Sequence, residues 1–172
     1  MQKKILGIIA GNGKFPILFA HKAKQKGYRV IVGAVKGDTS FLMRFVADQI
    51  EWFHVGDLKK LFDFFKRHQV KEVIMAGQVN PKNLFDANVR MDEEFQDLFQ
   101  AIENRKADTI FNAVAQKLQK HEMRLVSSIF LIEDHLALKG TLTRRGPSLS
   151  ELDDITFGQQ IAKLMGKVDV GQ

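Results

Sequence analysis

The chain has 172 residues, enough for one domain or for one domain and part of a second. Apolar residues make up 45% and charged residues 27%, which excludes the disordered and fibrous classes, and the absence of cysteine excludes disulfide frameworks, thiolate metal sites and cysteine nucleophiles. The net charge of +6 gives only a mild attraction to anions. No apolar run approaches the ~18 residues of a membrane-spanning helix. The opening Met1-Gln-Lys-Lys-Ile-Leu-Gly-Ile-Ile-Ala10 is too brief for a signal peptide and leads into glycines, not a cleavage site, so a cytoplasmic protein is expected.

In chain order, Ile5–Ile9 reads as a strand apolar on both faces, as a parallel sheet requires. A Gly-rich turn follows, and Pro16 suits the first turn of a helix running to about Gly27, with Leu18, Phe19 and Ala23 inward and Lys22, Lys24 and Lys26 outward. Arg29–Ala34 is the second strand and Ile50–Val55 the third. A helix with Leu58, Leu61, Phe62 and Phe65 at helical spacing comes next, then a fourth strand, Glu72–Ala76. Two further helices are predicted, one from the stripe Phe95, Leu98, Phe99 and Ile102 and one from Ile110, Val114 and Leu118, before a short strand at Arg124–Val126. Strands alternating with helices across short turns predict a doubly wound parallel α/β sheet, with Ile5–Ile9 among its central strands. Gly140–Pro147 reads as a linker, ahead of a helix from about Glu151 to Met165 and a strand-like tail, Lys167–Gln172. One helix and one strand beyond a linker cannot bury their own apolar faces, so this tail either docks on the first domain or opens a second one.

The strongest chemical signal is Gly7-Ile-Ile-Ala-Gly11-Asn12-Gly13-Lys14-Phe15-Pro16, at the junction of the first strand and helix. Two glycines let backbone approach a ligand closely, and the N–H groups at a helix start suit a phosphate. The spacing is G-x-G-x-x-P, so the dinucleotide fingerprint is half met, and a tight turn without a ligand would also explain it. The second strand ends in Val32-Gly-Ala-Val-Lys36, without the acidic residue that holds a ribose. A nicotinamide reading, with Lys36 meeting a 2′-phosphate, is therefore the runner-up.

The second signal is Gly77-Gln78-Val79-Asn80-Pro81, at the same sheet edge. There Gln78 and Asn80 offer amides to a base or sugar, or simply form a turn. Asp108 opens a helix and is explained as an N-cap, and Asp153-Asp154 lies in a first helical turn where acids are favoured anyway. The five histidines lack ligand spacing, and Ser127-Ser128 lacks a nucleophile elbow. The lysines are not interleaved with aromatics, which argues against nucleic acid as a partner.

With these residues assembled, the chain resembles the LpxI family, the UDP-2,3-diacylglucosamine pyrophosphatases of lipid A synthesis. The likeness is carried by Gly7–Pro16, Val73-Ile-Met-Ala-Gly77 with Gln78-Val79, Gly140-Thr-Leu-Thr143, Pro147, Asp154-Ile155 and Asp169-Val-Gly-Gln172. The resemblance implies a Rossmann-like parallel sheet with helices on both faces over residues 1–132, then the incomplete start of a second α/β domain over 133–172. It further implies a magnesium-dependent hydrolase that splits the substrate diphosphate into UMP and the lipid monophosphate. Gly11, Asn12, Gly13, Lys14, Phe15, Pro16, Gly77, Gln78, Asn80 and Asp108 would face UDP or the UDP-sugar. Where the family has Gly-Asp-Asp before a helix, this chain has Lys106-Ala107-Asp108.

The family's second domain continues past Asp-Val-Gly-Gln, and the acids expected to hold Mg2+ lie in that stretch. This chain is therefore expected to bind substrate while turning it over poorly, with no catalytic residue and no metal ligand assigned within it. A homodimer and a transient contact with the inner membrane surface are further partners that the resemblance allows. A binding module without catalysis is the third reading.

Overall fold

The computed structural model describes residues 3–80, 91–100 and 107–168. Five described strands form one sheet: β1 (Ile5–Ala10), β2 (Arg29–Val35), β3 (Gln49–Phe53), β4 (Glu72–Ala76) and β5 (Arg124–Leu125). Their order is β3-β2-β1-β4-β5 and every pairing is parallel. β1 is central, with Ile8 opposite Val32 on one side and Ile74 on the other. The chain winds outward first through β2 and β3, then back across β1 to β4 and β5. The winding therefore reverses between β1 and β4, and an open α/β sheet forms its ligand crevice at the strand ends beside such a reversal.

Both faces of the sheet are covered, because alternate side chains of each strand point to opposite sides. Leu6, Ile8, Ala10, Val30, Val32 and Ala34 face one core, closed by helix α1 (Phe15–Gln25), by Met43 of a 3₁₀ turn (Phe41–Phe45), and by Leu131 and Ile132. Ile31 and Val73 face the other core, with α2 (Leu58–Arg67), α3 (Glu93–Gln100) and α4 (Ala107–Lys120). On this second face Gly33 lies under Leu61, with which a β-carbon there would collide, and one at Gly7 would come within 2.7 Å of Val70. The two strand glycines thus set how closely α2 approaches the sheet.

Helices α2 and α4 end alike. Gln69 and Glu122 both take φ 58°, and the next residues, Val70 and Met123, are buried while their N–H groups donate back to Phe65 O and Leu118 O at 3.0 and 2.9 Å. A left-handed residue followed by an apolar one is the usual helix C-terminal lock, here built without glycine.

Lys117 on α4 is buried, yet charged. Its Nζ donates to Glu94 Oε2 at 2.6 Å and to Asp97 Oδ2 at 3.2 Å, and His121 meets Glu94 Oε1 at 2.9 Å while its ring lies against Phe62. His121 is thus part of a helix–helix contact. Burial works against the Lys117 charge, but the two carboxylates outweigh it and raise its pKa; the hydrogen bond from Lys117 in turn lowers that of Glu94.

Residues 3–134 form one unit and His135–Gln172 a second. Within the second, residues 140–147 form no helix or strand, and none of its described residues is buried. Its helix α5 (Leu149–Lys167) opens with a capping box: Ser148 Oγ accepts from the Glu151 N–H, and Glu151 accepts from the Ser148 N–H. Arg145 pairs with the same carboxylate, and together these bonds pull the Glu151 pKa down to about 2. The helix runs through Lys167, so the expected strand-like tail does not begin there; Asp169–Gln172 fall outside the described residues.

Replacing Lys117 by Met leaves two carboxylates facing an apolar side chain and should lower unfolding stability by roughly 2–4 kcal/mol at neutral pH in urea titrations. The native pair's contribution should hold between the unfolded values of 4.5 for Glu94 and 10.5 for Lys117. A lowered carboxylate pKa makes the contribution fade as pH falls below the first of these, and a raised lysine pKa makes it fade as pH rises above the second. A flat difference between wild type and variant across that range and beyond it would contradict this.

Candidate functional site

The carboxyl ends of β1, β2 and β4 carry three loops that are fastened to one another. Gly11 N–H donates to Ala76 O at 2.8 Å, Asn12 N–H to Gln78 O at 2.6 Å, and Gln78 N–H to Asn12 O at 3.2 Å, a single antiparallel bridge between the first and third loops. The sequence permits this approach at two glycines. A β-carbon on Gly11 would strike the Gln78 carbonyl; one on Gly77, whose φ is +85°, would strike Asn12 O and come within 2.9 Å of the Pro16 ring. The second loop is tied in by Thr39, which is buried: its Oγ1 accepts from Val35 N–H at 2.9 Å and donates to Ala10 O. Asp38 Oδ2 accepts from Asn80 N–H at 3.3 Å.

The ten residues expected to face a ligand divide on this frame. Gly11 and Pro16 are buried and Phe15 is half-buried against Phe19, so these three, with Gly77, shape and pack the loops. Asn12, Gly13, Lys14, Gln78 and Asn80 are exposed at the sheet edge. Asn12 Oδ1 accepts from Gly13 N–H at 2.7 Å, which holds the turn at Gly13, where φ is +99° and no atom crowds the α-carbon. Helix α1 then starts at Lys14 with no side-chain cap and no acid in its first turn. Its terminal N–H groups and positive dipole end therefore point to the loop edge without an internal anion, and Lys14 has no ion-pair partner among the described residues. Chemically, this edge offers a helix N-terminus, the Lys14 ammonium and three amides, with the Asp38 carboxylate beside Asn80.

Asp108 lies within α4, and its side chain lies outside the described residues, as do Pro81 and Lys82. Lys36 stands at the end of β2 with its Nζ 3.4 Å from His54 Nε2. Asp38 and Thr39 do not stand out in the sequence, where Lys36 is the conspicuous charge at that strand end. The signal was a Gly37-Asp-Thr-Ser turn leaving the strand next to β1, at the edge that already held both other loops.

Among the described residues, no group of three or more His, Asp or Glu is placed to hold a metal ion, so they give magnesium no ligand set. A cavity of about 580 Å³ lies at the opposite edge, between Lys66, Lys71, Lys120 and Glu122. It sits where α2 and α4 present their C-terminal, negative dipole ends, which suits the lysines already there and not an added anion.

The strand order and the loop cluster at the β1–β4 reversal define a Rossmann-like domain. The LpxI N-terminal domain matches residues 5–135, and the chain belongs to the LpxI family. No curated protein sequence matches it. Among solved structures it is similar to a GalE-like L-threonine dehydrogenase from Cupriavidus necator (19% identity, 71% of this chain and 36% of that one, TM-score 0.40). It is also similar to a UDP-glucose-4-epimerase from Stenotrophomonas maltophila (12%, 96% and 49%, 0.44) and to leucoanthocyanidin reductase from Vitis vinifera (11%, 96% and 47%, 0.43). The chain spans less than half the length of each.

The glycines should separate by role. Gly77→Ala forces both a collision and a disfavoured φ, and should cost several times the roughly 1–2 kcal/mol expected for Gly13→Ala, where only the backbone angle is strained. Thermal melts of the two variants measure this; equal losses would mean that the loop pairing does not depend on Gly77.

Proposed function

We propose that the exposed part of this loop cluster binds the UDP end of UDP-2,3-diacylglucosamine, as the nucleotide-sugar-binding half of a lipid A pyrophosphatase. The observation that carries the reading is the bridge between the glycine loop and the Gly77–Asn80 loop, which sets a helix N-terminus and a free lysine beside three amides. A diphosphate carries its charge on phosphoryl oxygens, which the α1 N–H groups and the Lys14 ammonium would neutralise. Asn12, Gln78 and Asn80 would hydrogen-bond the uracil or sugar, since an amide both donates and accepts.

In the overall reaction a water oxygen bonds to one phosphorus and the bridging P–O bond breaks, giving UMP and the sugar phosphate. Metal charge and a positioned water are what such a displacement needs. No step of it is assigned to a described residue, and the role argued here is to hold and orient the nucleotide. Among the described residues no helix is long and apolar enough to cross a membrane.

Titration calorimetry should find UDP bound more tightly than NADP. Lys14→Ala should weaken UDP by about tenfold, the size of one lost charge-assisted contact. Gly13→Val should abolish binding while the domain still melts cooperatively, at a lowered temperature because of the strained φ at that position, and Lys36→Ala should change nothing. Tighter NADP binding that depends on Lys36 would replace this reading with the oxidoreductase one. Binding of neither would leave a module without a small ligand.

A further inference from the structure

Between β2 and β3 the chain crosses one face of the sheet through the 3₁₀ turn Phe41–Phe45. Ser40 caps this turn, accepting the Leu42 N–H at 3.3 Å, and Met43 anchors it in the core. Its other apolar side chains are not buried: Phe41 is 58% exposed, Leu42 60% and Phe45 75%. They are contiguous. The Phe41 and Phe45 rings meet edge to face at 6.3 Å, Phe41 stacks on the half-buried Trp52 at 6.5 Å, and the Arg44 guanidinium lies 4.7 Å from the centre of the Phe41 ring. Arg44 is the one charged residue between Thr39 and Ala47.

We propose that this turn is a membrane-contact site that lays Phe41, Leu42 and Phe45 into the interfacial layer of an anionic bilayer, with Arg44 at the headgroups. This goes beyond nucleotide binding and is independent of it. Three points favour a bilayer over a second copy of the chain. The exposed apolar area of these three side chains is on the order of 300–400 Å², below the roughly 450 Å² of non-polar area that each side of a stable protein interface buries. The neighbouring edge strand β3 carries Glu51, paired with Arg67 of α2 at 3.1 Å, and a charged side chain on an edge strand discourages strand addition. Finally, a cation set among aromatics, with no acid in the turn and a net charge of +6, complements an anionic surface.

Trp52 is the only tryptophan in the chain, so its emission reports on the patch directly. Vesicles of phosphatidylcholine mixed equally with phosphatidylglycerol should blue-shift that emission and co-sediment the full chain, whereas phosphatidylcholine alone should bind it far less. Phe41→Ser with Phe45→Ser should cut the co-sedimenting fraction by about tenfold or more, and Arg44→Glu should act mainly on the anionic vesicles. All three side chains are exposed, so thermal melts of these variants should match wild type. Leu138→Ser, equally exposed but outside the turn, should leave binding unchanged.

The proposal is overturned if wild type binds neither vesicle, if Leu138→Ser loses as much as the Phe variants, or if ultracentrifugation shows a dimer that Phe45→Ser dissociates. No nucleotide is present in these arms, so a failure here and a failure of UDP binding are read separately.

Discussion

The close approach of two loop backbones at the end of β1 and β4 is the constraint on which the site depends. Gly11 and Gly77 remove the β-carbons that would hold Asn12 and Gln78 apart, and the resulting antiparallel bridge fastens the two loops just beyond the end of the parallel β1–β4 pairing. Because β1 and β4 flank the reversal in winding, the chain leaves β1 for the face covered by α1 and leaves β4 for the opposite face, covered by α3 and α4. The bridge keeps them together there. Thr39 then ties the β2 loop to Ala10, so the uncapped start of α1 is framed by three loops held by named hydrogen bonds.

The same economy of side-chain volume operates beneath the site. Gly7 and Gly33 give α2 access to the sheet, while bulky Phe62 and Phe65 fill the space so created. A glycine in a strand interior ordinarily weakens it, having nothing to pack. Here the packing is supplied from the opposite element. The five-strand order follows from the same logic, since apolar residues on both faces of β1 and β2 are stable only at the centre of a covered sheet.

Much of this was legible in the residues. The apolar runs Ile5–Ile9 and Glu72–Ala76, and the periodic Leu58, Leu61, Phe62 and Phe65, specify their elements by pattern alone, and the doubly wound sheet follows. What the pattern could not show is why particular glycines stand where they do. Gly11 read as room for a ligand, and the structure gives its space to the Gln78 carbonyl. Pro16 read as a helix start and is also the surface against which Gly77 packs. Such roles depend on residues some sixty positions away, which no local spacing reveals. Thr39 was invisible for a related reason: a threonine in a polar turn looks solvated until the neighbouring strand end is known to need a donor. Likewise His121, one of five unremarkable histidines, gains its meaning from Phe62 and Glu94 on other helices.

The β2–β3 crossover links the two surfaces discussed above. Thr39, fastened to the end of β1, lies two residues before Phe41, and Ser40 between them caps the turn that holds the exposed rings. The segment therefore belongs at one end to the loop cluster and at the other to the apolar patch, with Met43 pinning its middle into the core. A ligand that orders the loops at Asp38 and Thr39 acts on the same short stretch of backbone that presents Phe41 and Phe45. Free energy placed on either end is shared with the other only as far as that stretch moves as a unit. The buried Thr39 hydroxyl and the buried Met43 side chain fix the stretch at two points. Under the two proposals made for this domain, the nucleotide contact and the bilayer contact fall within a few residues of one another on the crossover.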